Sequence, residues 1–230
     1  MTTEHKTMKL SSDEGFSILS MLGKGVFNPN SLREFNEILD QVESDESQRA
    51  LFLTGEDKNF SQGLDLEYLL NIPQEDFHQF VENTMVMAVR LLTFPIPVVA
   101  VVNGHAFGLG AMIALASDYR VMRADRGFIC LPEIDLKMSF TPAMNALVVN
   151  KLNGRLRRDM MLSGYRLGGE EGVARGLLDA CCAEDELLSL AKEVVTPALD
   201  KHRKSMSVIK RDLNMPIISV VDAGPGVRGD

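Results

Sequence analysis

The chain has 230 residues and a formal net charge of −8, from 32 acidic side chains against 24 lysines and arginines. That balance argues against the basic face a nucleic-acid binder needs, though not against a local anion site. Three cysteines, two of them adjacent (Cys181 and Cys182), lack metal-ligand spacing and make a disulfide framework unexpected. There is no secretory h-region, no apolar run of membrane length and no peroxisomal-type terminal tripeptide, so a cytoplasmic protein with no membrane partner is expected.

Residues 8–22 alternate loosely between polar and apolar, which predicts one or two strands with a turn at Ser12 to Gly15. Asn28 to Ser31 predicts a turn into a helix capped by Ser31 or Asn30, with Glu34 completing a capping box. Leu32, Phe35, Ile38, Leu39 and Val42 supply the apolar stripe of that helix. Ala50 to Leu53 reads as a buried strand and Gly55 to Ser61 as a polar loop. Helices are predicted over Leu64 to Leu70 and Gln74 to Leu92, the second stopped by Pro95 and Pro97.

Pro97 to Val102 is a short, valine-rich apolar run that suits a strand buried on both faces. Asn103 and Gly104 break it. His105 to Gly110 forms a glycine turn, and Ala111 to Ala116 an apolar helix ending at Ser117 and Asp118. Strand, glycine turn and helix together aim the unpaired N–H groups of a helix's first turn at one spot, where negative charge is favoured. Ile113 stands where a dinucleotide fingerprint needs its third glycine, and no Lys-Ser/Thr pair follows as in a phosphate loop. An oxyanion is the better match.

Strands are then predicted at Tyr119 to Arg123 and Phe128 to Leu131, and a strand or an extended connection at Leu177 to Cys181. Helices are predicted at Thr141 to Leu152, Arg157 to Leu162, Glu170 to Ala174, Glu184 to Lys204 and Ser205 to Leu213. No well-formed helix is expected after Leu213; the tail from Ile217, with Gly224, Pro225, Gly226 and Gly229, reads as frayed. Strand–helix alternation up to about residue 130 implies an α/β fold with crossover connections.

Four segments carry a resemblance: FSQGLDL at 60–66, PVVAVVNGHAFGLGAMIALASDYR from 97, LPEIDL at 131–136 and LSGYRLGGEEGVARGLLD at 162–179. In order and spacing they resemble the crotonase superfamily, the enoyl-CoA hydratases and isomerases, over about residues 8 to 212. HAFGLGAMIALASDYR and ICLPEIDL look most like the Δ3,Δ2-enoyl-CoA isomerases. The resemblance implies an α/β crotonase-like spiral of ββα units over 1–140, carrying the acyl-CoA site. It also implies a helical C-terminal trimerisation region over 141–230. A homotrimer or dimer of trimers is the implied assembly, and coenzyme A enters only as part of the substrate, with no metal and no other cofactor.

The resemblance also implies roles. Two backbone N–H groups would hold the thioester oxygen, those of Leu64 after Gly63 and of Leu109 between Gly108 and Gly110. Leu109 stands where the family usually has glycine. Of the two glutamates a hydratase uses, one position holds Met112, whose thioether cannot move a proton. The other holds Glu133, in an apolar setting that raises a carboxyl pKa toward that of a useful base. One carboxylate suffices for an isomerase, and Asp135 would be its fallback. Lys24 and Lys58 are candidate contacts to coenzyme A phosphates. Ser61, Met112, Met138 and Met144 are candidates to line the acyl site. Asp65 and Asp118 read as loop braces, and His105 as a buried, hydrogen-bonded histidine. The alternatives are another crotonase reaction (hydration, decarboxylation or thioester hydrolysis) and a non-catalytic acyl-CoA-binding subunit.

Overall fold

The computed structural model describes residues 6–224. The chain opens as an antiparallel hairpin, β1 (Met8–Asp13) and β2 (Phe16–Met21), turned through Glu14 and Gly15 at positive φ. Strand β3 (Val26–Phe27) leads into α1 (Pro29–Ser44). The cap of α1 is Asn28, not Ser31 or Asn30. Its side chain accepts from the N–H groups of Asn30 and Ser31, and Ser31 Oγ accepts from Asn28 N at 2.8 Å. Pro29 can open the helix because its missing N–H would have no partner there. Glu34 serves another purpose: it accepts from the N–H groups of Lys6 and Thr7 and so ties the hairpin to the helix.

Next come β4 (Ala50–Gly55), β5 (Asn59–Ser61) and β6 (Gly63–Leu64), so the expected polar loop ends as a strand. Helices α2 (Leu66–Leu69) and α3 (Gln74–Leu92) precede β7 (Val98–Val102), β8 (His105–Phe107), α4 (Leu109–Ala116), β9 (Tyr119–Arg123) and β10 (Ile129–Cys130). The second half holds α5 (Pro142–Lys151), α6 (Gly154–Ser163), α7 (Gly169–Ala174), β11 (Ala180–Cys182), α8 (Leu187–Val195), α9 (Arg203–Leu213) and α10 (Met215–Asp222).

Two expectations fail here. The helix predicted over 184–204 is broken: 3-10 turns at Glu184–Glu186 and Thr196–Ala198 flank α8, and Asp200 sits at φ +59°. Pro197 in the second turn removes the donor a continuing helix would need. After Leu213 a final helix does form. Pro216 falls in the first turn of α10, where a missing N–H is harmless, and Ile217, Ile218 and Val221 are buried as the helix packs on α5 and α3. Pro225, Gly226 and Gly229 lie outside the described residues.

The main sheet has the order β1-β2-β4-β7-β9-β11, parallel except for the opening hairpin. All five residues of β7 are buried at its centre. Alternation sends Val98, Ala100 and Val102 to the larger core, which α1, α3, α4, α5 and α10 cover. Val99 and Val101 face a smaller cluster closed by Leu187, Ala191 and Val195 of α8. Helix α4 is buried on every side, as its all-apolar sequence requires. The larger core draws on residues from Met8 to Val221, so strands and C-terminal helices share it. Among the described residues no helix is long and apolar enough to cross a membrane.

Candidate active site

A second, three-stranded sheet sets up the site. Its order is β10-β8-β5, with both pairings parallel. Parallel strands end on one side, so the segments after β5, β8 and β10 leave the sheet together. Those segments carry Gly63-Leu64, Gly108-Leu109 and Glu133. The crevice outside the carboxyl ends of parallel strands is where α/β sheets hold ligands. Asn103 joins this sheet to the main one. Its Oδ1 accepts from Gly55 N at 2.9 Å, and its Nδ2 donates to the carbonyls of Asp57 and Asn59 at 3.2 Å each.

The two glycine segments touch. Gly63 has φ +84°, and a methyl group there would stand 2.6 Å from Phe107 O and 3.0 Å from Leu109 N. Only glycine permits that approach. Ser61, fully buried, braces the turn: its hydroxyl donates to Gly25 O at 2.6 Å and accepts from Gly63 N at 3.1 Å. Asp65 caps α2 by accepting from Tyr68 N, and also accepts from Asn28 Nδ2. Leu109 is the first residue of α4, so its N–H has no partner within the helix. A methyl group on Gly108 would lie 3.8 Å from Glu133 Oε1, which brings the carboxylate to the same point.

A cleft of about 60 Å³ opens here. Leu64, Leu66, Leu109, Pro132, Leu136, Met138 and Met144 make its apolar walls; Gln62, Gly108, Ser139 and Glu133 complete it. Glu133 is the one titratable side chain in that lining. It is 7% exposed, and its Oε2 has no hydrogen-bond partner. Burial pushes its pKa up to about 7, against a smaller opposing effect of its own backbone N–H. A carboxyl group held in that range accepts and returns protons near neutral pH. A larger groove of about 610 Å³ lies between α1 and α3, but the carboxylate that lines it, Asp76, is exposed.

The structure brings Glu133, Leu64, Leu109, Gly63, Gly108 and Met138 together, with Met144 on the wall. Others fall elsewhere. Met112 is fully buried in the larger core and is not part of the cleft lining. Ser61 acts on the Gly63 turn from beneath rather than lining the cleft. Lys24 and Lys58 are exposed; the Lys24 carbonyl accepts from Gln62 N at 2.9 Å, and the Lys58 carbonyl from His105 N at 2.9 Å. Asp135 is exposed and does not line the cleft: residues 133–137 form turns rather than an extended strand, and its carboxylate lies beside Gly164. Asp118 accepts from Val98 N and Lys210 Nζ, a brace as expected. His105 is only half-buried, and its Nδ1 lacks the expected partner. Its ring lies 5.1 Å from Phe107 and 5.8 Å from Phe128, and burial, then Arg166, holds its pKa down. Gln62, Leu66 and Ser139 were not legible as site residues, because only the fold of the turns brings them to the cleft.

Residues 24–223 match the family model described as enoyl-CoA hydratase/isomerase. Among named relatives, enoyl-CoA delta isomerase 3 of Arabidopsis thaliana is 36% identical over 159 residues, covering 67% of each chain. The peroxisomal enoyl-CoA delta isomerase 1 of the same plant is 29% identical over 222 residues, covering 91% of this chain and 92% of its own. In fold, the human mitochondrial delta3-delta2-enoyl-CoA isomerase superposes with a TM-score of 0.84 at 19% identity, covering 95% of this chain and 92% of that one. An enoyl-CoA hydratase from Mycobacterium marinum gives 0.85 at 22% identity, covering 95% and 96%. With its carboxylate and paired glycine turns gathered at one edge of the small parallel sheet, this chain belongs to the enoyl-CoA hydratase/isomerase family.

Proposed function

We propose that the protein is an enoyl-CoA isomerase that moves a double bond from position 3 to position 2 of an enoyl-CoA. The observation that carries this reading is the single buried carboxylate: Glu133 stands alone as a titratable group in an apolar cleft, with a pKa of about 7. Ionised Glu133 takes the proton from C2. The electron pair spreads through the C3–C4 double bond and the thioester carbonyl. The same carboxyl group then delivers the proton to C4, so atoms and charge balance without water. The N–H groups of Leu64 and Leu109 hold the enolate oxygen. The contact of Gly63 with Leu109 N and the free first turn of α4 support that pairing.

Hydration of a 2-enoyl-CoA would need a second acid–base group to handle water. At the position where the resemblance places that group stands Met112, fully buried. Lys24, whose carbonyl holds Gln62 N at the cleft's edge, is the cation we assign to the phosphates of coenzyme A. Trimeric assembly belongs to the same reading; the exposed Val208, Ile209, Leu213 and Met215 around α9 support it.

An absorbance assay on a trans-3-enoyl-CoA tests the reaction, because the conjugated product absorbs where the substrate does not. Wild type is expected to turn over, and Glu133→Gln to be slower by about 10²–10⁴-fold. A wild type that binds the substrate without raising absorbance overturns the isomerase reading. Activity on 2-enoyl, malonyl or simple acyl thioesters would then identify another reaction of the family, and silence on all of them a non-catalytic binder.

A further inference from the structure

The apolar wall of the cleft does not stop at its mouth. A space of about 60 Å³ takes about two water-sized groups, so the reacting carbons of an enoyl chain use it up. Whatever follows C4 has to leave. Of the apolar lining residues, Leu66 and Leu136 are the exposed ones, at 46% and 47%; Leu64, Pro132 and Met138 are half-buried, and Leu109 and Met144 are buried. The way out therefore runs between these two leucines. Helix α2 carries one bank further. Leu70 N donates to Leu66 O at 3.0 Å, which sets Leu70 one turn above Leu66 on the same face. The rest of α2 is held to the core, with Leu69 buried and the Tyr68 ring 6.0 Å from that of Phe80. Leu70 is 86% exposed, more than any other large apolar side chain among the described residues. The opposite bank is fixed by its own backbone: Leu136 N donates to Pro132 O at 3.0 Å, and Met138 N to Glu133 O at 2.9 Å. Single exposed leucines are ordinary, but a row of them continuous with an apolar cleft marks a binding groove.

We propose that Leu66, Leu136 and Leu70 form a track for the acyl tail, which makes the protein select medium- and long-chain enoyl-CoAs over short ones. The track rests on the reading of the cleft as an enoyl-CoA site, and it adds the length of the chain. Each methylene beyond the cleft covers leucine surface and gives up its own contact with water. Full burial of a methylene tightens binding about fourfold. A tail on an open strip is covered on one side, so about twofold per methylene is expected. The gain ends where the chain passes Leu70. Because the strip touches the tail and not C2 to C4, it holds ground state and transition state alike. The ratio kcat/KM therefore rises with chain length, while kcat does not.

The experiment titrates three proteins with saturated acyl-CoAs from butanoyl to dodecanoyl, which have no double bond to move. They are wild type, the double variant Leu66→Asn with Leu136→Asn, and Leu70→Asn. In wild type, Kd is expected to fall about tenfold from hexanoyl- to decanoyl-CoA. The double variant should bind butanoyl-CoA within about twofold of wild type and lose most of the gain with length. Leu70→Asn should weaken the longest chain alone. A general structural defect would weaken every length alike, so the slope against chain length is the signature of the track. Leu188→Asn, at a similarly exposed site on α8, should leave that slope unchanged. A wild-type Kd that does not vary with length overturns the proposal, as does a double variant that keeps the wild-type slope. Turnover of trans-3-enoyl-CoAs of the same lengths is read separately. Length-dependent binding without turnover removes the isomerase reading and leaves the track standing. Turnover with equal kcat/KM at every length removes the track and leaves the isomerase reading.

Discussion

At the junction of α9 with the main sheet, Lys210 Nζ donates to Asp118 Oδ2 at 2.6 Å and to Ile96 O at 3.3 Å, and Asp118 Oδ2 also accepts from Val98 N at 2.8 Å. Beside it, the Arg120 guanidinium donates to the carbonyls of Leu177 and Ser117, at 2.8 Å each. In the cleft, by contrast, Glu133 Oε2 is as deeply buried and meets nothing. Both places take ionisable groups out of water. At the junction Lys210, Asp118 and Arg120 each have a counter-charge or a carbonyl, so these groups hold elements together. In the cleft the desolvation of Glu133 is offset only in small part, by its own backbone N–H, and the group stays able to exchange a proton. Unpaired burial, more than burial itself, separates site from scaffold.

The sharpest way to test this contrast is to neutralise each side. Glu133→Gln should remove most turnover without destabilising the fold, and should be more stable than wild type at pH 8. The sign follows from linkage. The folded pKa of about 7 lies above the ordinary 4.5, so the folded state binds the proton more tightly. That stabilisation is full below the unfolded value and is lost as pH rises through about 7. Urea unfolding of the two proteins should therefore coincide near pH 4.5 and differ by up to about 3 kcal/mol at pH 8. A Gln variant less stable than wild type at pH 8 would mean that Glu133 has a partner after all.

Lys210→Met should do the reverse. It strands Asp118 and should lower unfolding free energy by about 3 kcal/mol, while kcat per folded molecule stays unchanged. Loss of kcat with stability intact would break the division between scaffold and site. A subtler effect lies in the pH profile: kcat/KM should fall about tenfold per pH unit on the acid side of the Glu133 pKa. A profile flat down to pH 5 would assign the chemistry to another group. The smallest effect is set by exposed charge. The pair Arg33–Glu37, 2.8 Å apart on the surface of α1, should give Arg33→Ala a change of about 0.5 kcal/mol or less.

Much of this contrast could be read from residue order. The valine run at 98–102, helix 74–92 and the carboxylate of Glu133 among apolar neighbours all announce themselves. The pieces that escaped depend on partners distant in sequence. Strand β8 is three residues long and flanked by glycines, too short for any periodicity, yet it sets the edge where the site forms. Asn28 became a cap because Ser31 reaches back to it, while Glu34 turned to the hairpin instead. The stretch after Leu213 read as lacking a helix, but α10 forms there, with Pro216 in its first turn, because apolar surface on α3 and α5 awaits it. Met112 falls on the inward side of a wholly buried helix, which a run of apolar letters cannot reveal.

Helix α10 matters for how the larger core is closed. Ile217 and Val221 close the larger core from α10, some 120 residues along the chain from the β7 valines they share it with. Until α10 docks, the matching faces of α3 and α5 stay open to water. Without α10, the apolar faces of α3 and α5 that it covers would lie bare. A helix that the residue pattern hides is thus the one that seals the core against water.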